Sequence, residues 1–99
     1  MSDDRYDPVS PGEVLREEFL EPLGITAYRL AAATGMSQTR ISQMLRGQRS
    51  VTADSALRLG AALGTSAQFW INLQSQYEVA RERMAHDAEY AAITPLVEA

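Results

Sequence analysis

Apolar residues recur along the chain at three- and four-residue intervals, and the intervals break at a few turn-forming residues. Val14, Leu15 and Phe19 form the first stripe, opened by Pro11 and closed by Pro22 and Gly24, which predicts a helix over 11–21. Glu13 lies in its first turn, where an acid complements the helix dipole. Thr26 is placed to cap a second helix carrying Leu30 and Ala31, which Gly35 ends. Ser37 opens a third, running to about Arg46 before Gly47. Thr52 opens a fourth, with Asp54 in its first turn, Leu59 and Leu63 facing inward, and Gly64 at its end. Thr65 and Gln68 have the spacing of a capping box, and a long fifth helix over 67–91 follows, short of Pro95. No alternating stretch long enough for a strand is present. The pattern predicts an all-α chain of five helices: a polar tail over 1–10, a helical domain over 11–92 and a short tail over 93–99.

The second and third helices are joined by only Gly35-Met36-Ser37. Two helices can cross steeply over so short a link only if a small residue sits where they approach, a turn residue follows, and a branched apolar residue plugs the crossing. Ala31, Gly35 and Ile41 supply these at the spacing of a helix-turn-helix over 26–46. With Ile41, Met44 and Leu45 inward, the third helix turns Gln38, Thr39, Arg40, Ser42, Gln43 and Arg46 outward, without one acid. A merely solvated helix usually mixes acids with bases. Gln38, Thr39, Arg40 and Gln43 instead carry the groups that hydrogen-bond base edges, and they are the expected base readers. Thr26, Ser37, Arg46 and Arg49 are the expected phosphate contacts, the first two beside the free N–H groups of helix starts. Arg29 and Arg58 serve equally well as contacts to DNA or as partners of Glu17, Glu18 or Asp54 within the fold.

On the fifth helix, Trp70, Leu73, Tyr77, Ala80 and Met84 step alternately by three and four, a heptad seam. Its first residues suit the chain's own core, but the seam outruns what a small core covers. A homodimer interface along Trp70, Leu73, Tyr77, Ala80 and Met84 is therefore expected.

Composition narrows the chemistry. The 99 residues hold no Cys and one His, so thiolate metal sites, disulfides and thiol or His-relay catalysis are excluded as readings. No metal, cofactor or small-molecule ligand and no catalytic residue is expected; Glu17, Glu18 and Glu21 read as a solvated face, and His86 as a surface side chain. No apolar run approaches the ~20 residues of a membrane span, and the polar, acidic start is unlike a secretory signal, so a cytoplasmic protein is expected. The net charge of −4 conceals a pattern: −5 over 1–22, +4 over 23–65 and −3 over 66–99, with every basic residue an Arg. Phosphate affinity follows the face presented rather than the total, so the acidic balance leaves a nucleic-acid partner open.

The chain resembles HigA-type antitoxins, of the helix-turn-helix family that includes phage repressors and VapI-like addiction-module antidotes. The resemblance covers about residues 10–82. Its carriers are Pro11-Gly12-Glu13-Val14-Leu15, Glu17-Glu18-Phe19-Leu20, Pro22-Leu23-Gly24, the helix-turn-helix, Thr52-Ala53-Asp54, Leu57-Arg58-Leu59, Leu63-Gly64-Thr65-Ser66 and Phe69-Trp70-Ile71-Asn72-Leu73-Gln74. The His that often precedes Pro-Gly-Glu in that family is Ser10 here. The resemblance implies a five-helix, lambda-repressor-like DNA-binding domain. It also implies a homodimer on the operator of its own operon, and a HigB-type toxin partner similar to RelE ribonucleases that cut translated mRNA. In related repressors the first residues of the recognition helix read bases, which matches Gln38 and Thr39. The rival readings are a stand-alone helix-turn-helix regulator without a toxin and an interaction module that binds no DNA.

Overall fold

The structure is a computed structural model that describes residues 8–98. Most of the expected polar tail, residues 1–7, and residue 99 of the expected C-terminal tail lie outside the described residues. Five helices follow one another among the described residues. α1 runs unbroken over 11–23, as Pro11–Val14, a π-helical stretch Leu15–Leu20, and Glu21–Leu23. α2 is Ala27–Thr34, α3 Gln38–Leu45, α4 Ala53–Leu63 and α5 Ala67–Ala91. No strand is present among the described residues.

Each start carries its own cap. Ser10 opens α1 with a full capping box: its Oγ accepts the Glu13 N–H at 3.3 Å, and the Glu13 carboxylate accepts the Ser10 N–H at 3.0 Å. Thr26, Ser37, Thr52 and Ser66 cap the other four, each hydroxyl accepting the N–H three residues on. Two sequence expectations are corrected here. The box expected from Thr65 and Gln68 does not form, because the Thr65 hydroxyl accepts the Trp70 indole N–H at 2.7 Å and leaves Ser66 to cap α5. Pro22 does not stop α1, which continues through it to Leu23 and ends at Gly24. In ordinary α register the proline ring would press on the carbonyl four residues back. The wider π turn just before it, where the Glu21 N–H reaches the Arg16 carbonyl, relieves that conflict.

The core is one cluster, with Leu15 and Leu20 from α1, Leu30 and Ala31 from α2, Ile41 and Met44 from α3, and Ala56 and Leu59 from α4. Trp70 of α5 sits among them, fully buried. Phe19 lies 5.4 Å from it and Phe69 5.0 Å, ring centre to ring centre, so three aromatic side chains close one end of the core.

The seam on α5 therefore divides, which corrects the expectation of a single interface. Trp70 is inside the chain's own core and is not offered to a second chain, while Leu73, half-buried, packs on the edge of that core. Tyr77 and Ala80 are half-buried, and Met84 is exposed. From Arg81 onward every described residue of α5 is exposed, and the helix kinks at His86, whose φ of −135° is not helical.

Candidate nucleic-acid interface

The geometry of the α2–α3 crossing follows from three residues. Gly35 takes φ 78°, a left-handed conformation that a side chain would strain, and its N–H returns to the Ala31 carbonyl at 2.9 Å. Ala31 and Ile41 are buried where the helices meet. The sequence reading missed two supports. Met36, inside the turn, is buried at 4% exposure. The buried Thr34 hydroxyl donates to the Leu30 carbonyl at 2.7 Å and accepts the Met36 N–H at 3.3 Å. The turn thus carries its own hydrogen bonds and does not depend on solvent to satisfy them.

α3 buries Ile41 and Met44, half-buries Leu45, and exposes Gln38 and Thr39 at its start. Ser42 and Gln43 are half-buried further along. Arg46, capping the end, donates from Nη1 to the Ser42 hydroxyl at 2.6 Å and from Nε to Gln48 at 3.3 Å. Arg49 donates from Nε to the Gln43 side-chain oxygen at 2.8 Å. Arg46 and Arg49 thus stand beside the polar face of α3, and Gln43 has its carbonyl engaged and its amide N–H groups available. Thr26 and Ser37 are exposed, with their hydroxyls engaged as caps by the Arg29 and Arg40 N–H groups.

Arg40 is placed differently from the other expected readers. Its guanidinium turns towards α4, donating from Nη2 to Asp54 at 2.7 Å and to the buried Ser55 hydroxyl at 2.6 Å. Asp54 also accepts from Arg58 Nε at 3.0 Å, and Arg58 Nη1 donates to the Thr34 carbonyl at 2.8 Å. Hydrogen bonds from Arg40 and then Arg58 hold the Asp54 carboxyl below its ordinary pKa. The cluster's contribution to stability is accordingly complete above the ordinary carboxylate range, and fades as pH falls through the lowered value. The pairing of Arg58 with Asp54 is one that the sequence offers; the tie from Arg40 is not readable there, although Asp54 being the single acid between residues 23 and 65 is a signal.

The loop after α3 is tied down from both sides. The Gln48 N–H reaches the Gln43 carbonyl at 2.8 Å. The Val51 N–H donates to the side-chain oxygen of Gln74, a buried amide on α5, at 2.9 Å, and Gln74 in turn donates to Glu78 at 2.8 Å. Arg16 of α1 donates to the Leu45 carbonyl at 3.3 Å, holding the end of α3. Gly12 brings the α1 backbone against that of Met44 and Leu45. Among the described residues no group of three or more His, Cys, Asp or Glu is placed to hold a metal, and no helix is long and apolar enough to cross a membrane. His86 lies 3.5 Å from Glu89 and 4.0 Å from Glu82 on the exposed part of α5.

A pair of helices joined over Gly35-Met36-Ser37, with Ala31 and Ile41 buried and no acid on the second helix, defines a helix-turn-helix protein. The helix-turn-helix family profile matches residues 16–70. Virulence-associated protein I of Dichelobacter nodosus is 48% identical over 71 residues, which is 72% of this chain and 66% of that one. Antitoxin HigA-1 of Vibrio cholerae is 40% identical over 89 residues, 90% of this chain and 84% of that one. Among solved structures, Pseudomonas aeruginosa antitoxin HigA, determined with the higBA promoter, superposes with a TM-score of 0.85 at 43% identity, covering 91% of this chain and 99% of that one. The chain belongs to the HigA-type family of helix-turn-helix antitoxins.

Proposed function

We propose that the chain is the antitoxin of a type II toxin–antitoxin module. It represses its own operon by inserting α3 into the major groove of an operator, and it neutralises a HigB-type, RelE-like mRNA-cleaving toxin by direct binding. The observation that carries the DNA half is the outward side of α3: Gln38, Thr39 and Gln43 together, with Arg46 and Arg49 beside them and no acid on the helix. Gln and Thr hydrogen-bond base edges, and the two guanidiniums suit flanking phosphates. The cap hydroxyls of Thr26 and Ser37 mark the helix starts at which further phosphates would bind. The Pseudomonas aeruginosa relative, solved together with the higBA promoter, supports the same reading.

The protein acts as a homodimer in this proposal, because one short helix reads only a few base pairs while two related by a dyad read a palindrome. The stripe of α5 that carries Tyr77, Ala80 and Met84, half-buried at its start and exposed at its end, is the surface that a second copy would cover. The toxin half rests on the kinship with antitoxins. Glu17, Glu18 and Glu21, all on α1 and turned at least partly to solvent, offer a basic toxin a complementary charge.

Fluorescence anisotropy on duplexes from the region upstream of the gene, at graded salt, tests the DNA half. Specific binding is expected to weaken steeply as salt rises, since each Arg–phosphate contact releases counterions. Gln43→Ala is expected to relax preference at one or two base pairs by about 1–3 kcal/mol, leaving the salt slope unchanged. An equal loss on every sequence would remove Gln43 from base reading. Co-purification with the product of the adjacent gene tests the toxin half; failure of that product to co-purify, in a chain that does bind its operator, would favour a stand-alone regulator.

A further inference from the structure

The one acid of the basic segment sits beside the recognition helix, where a bare carboxylate would repel phosphate. It is not bare: Arg40 reaches it at 2.7 Å from α3 and Arg58 at 3.0 Å from α4. Two cations on one carboxylate leave the cluster net positive, so its purpose is not simple neutralisation. Geometry gives the alternative. Arg40 is the third residue of α3, flanking Thr39 and Gln43, and an unrestrained guanidinium there would sweep both the groove and the adjacent backbone. Instead Nη2 is fixed on Asp54 and on the buried Ser55 hydroxyl at 2.6 Å, and three-quarters of the Arg40 side chain is covered. Arg58 holds Asp54 in place and is itself anchored on the Thr34 carbonyl, in the turn between α2 and α3. The anchor is close: a side chain on Gly35 would come within 2.9 Å of Arg58 Nη1.

We propose that Asp54 is a positioning residue for operator recognition: it withholds Arg40 from the DNA, so that Gln38, Thr39 and Gln43 set the base preference. The proposal rests on α3 being the DNA-reading helix. A flexible cation at this position would bind any phosphate within reach, and binding of that kind adds affinity for all sequences while adding no discrimination. Fixing it on α4 removes that sequence-blind contribution. It also stiffens the start of α3 against the turn, since Arg40, Asp54, Arg58 and the Thr34 carbonyl form one chain of hydrogen bonds.

The test measures affinity for the operator and for a scrambled duplex across a salt series. In Asp54→Asn, with folding checked by thermal melting, scrambled-duplex affinity is expected to rise several-fold and its log–log salt slope to steepen by about 0.9, one further phosphate contact. The ratio of operator to scrambled affinity falls correspondingly. Two double variants of equal net charge separate a freed Arg40 from a general gain of charge. The rise is expected to vanish in Asp54→Asn with Arg40→Gln, and to persist in Asp54→Asn with Arg83→Gln, which alters an exposed residue of α5. No change in Asp54→Asn, or the same behaviour in both double variants, would each overturn the proposal. Failure of the wild type to prefer its operator would instead overturn the reading of α3 on which it rests.

Discussion

Replacing Trp70 by Ala is expected to cost about 3–5 kcal/mol of folding stability, which a chain this small cannot spare. The indole is wholly buried in the core cluster, and Phe19 and Phe69 pack on it at 5.4 and 5.0 Å. Its removal leaves a cavity that those rings cannot close without abandoning their own contacts. It also strips the Thr65 hydroxyl of its donor at the entry to α5. With each kcal/mol worth roughly 4–8 °C in a domain of this size, the melting temperature followed by far-ultraviolet circular dichroism should fall by tens of degrees. A fall of only a few degrees would mean that α5 does not dock as described. The same substitution separates the two halves of the heptad seam: if Trp70 lay between subunits, the effect would depend on protein concentration, and none is expected.

Gly12→Ala is the second large effect, and its origin is backbone against backbone. A β-carbon at Gly12 would overlap the Met44 carbonyl oxygen and lie 2.9 Å from both the Leu45 Cα and the Leu45 carbonyl oxygen. No flexible side chain is available to yield, so α1 must move away from α3. The expected loss is about 3 kcal/mol, the upper part of the usual range for overpacking. The functional loss should be disproportionate. Met44 and Leu45 are the last turn of α3, the helix proposed to read the operator, and Arg16 holds the Leu45 carbonyl from the same helix that would be displaced. Operator affinity should therefore fall about tenfold or more in protein that remains folded, the worth of one well-placed base contact. Melting curves and anisotropy on the same preparation check both; a variant as stable as the wild type would refute the close approach.

These two positions also mark how legible the chain is. The caps Thr26, Ser37 and Thr52 are readable because a hydroxyl before an apolar stripe has few other uses there. The helix-turn-helix is readable because Ala31, Gly35 and Ile41 answer a steric demand that depends only on spacing. Contacts that join distant parts of the chain are not. Trp70 fits a heptad seam as well as it fits a core, and only the fold shows which neighbours reach it. Thr65 has the spacing of a cap, yet an indole five residues away takes its hydroxyl. Pro22 carries the ordinary stop signal, and a π turn overrides it. Arg40 lies at an outward angle on a helical wheel, but a wheel does not include α4, where its guanidinium is bound. Ser10 closes a capping box whose other half, Glu13, shows only a dipole role in the sequence.

The buried amide of Gln74 gives α5 a second duty. Its oxygen holds the Val51 N–H at the end of the loop that carries Arg49, while the same helix continues out to its exposed end. Any displacement of Gln74 would therefore be felt at once in that loop, whose last buried N–H would lose its acceptor.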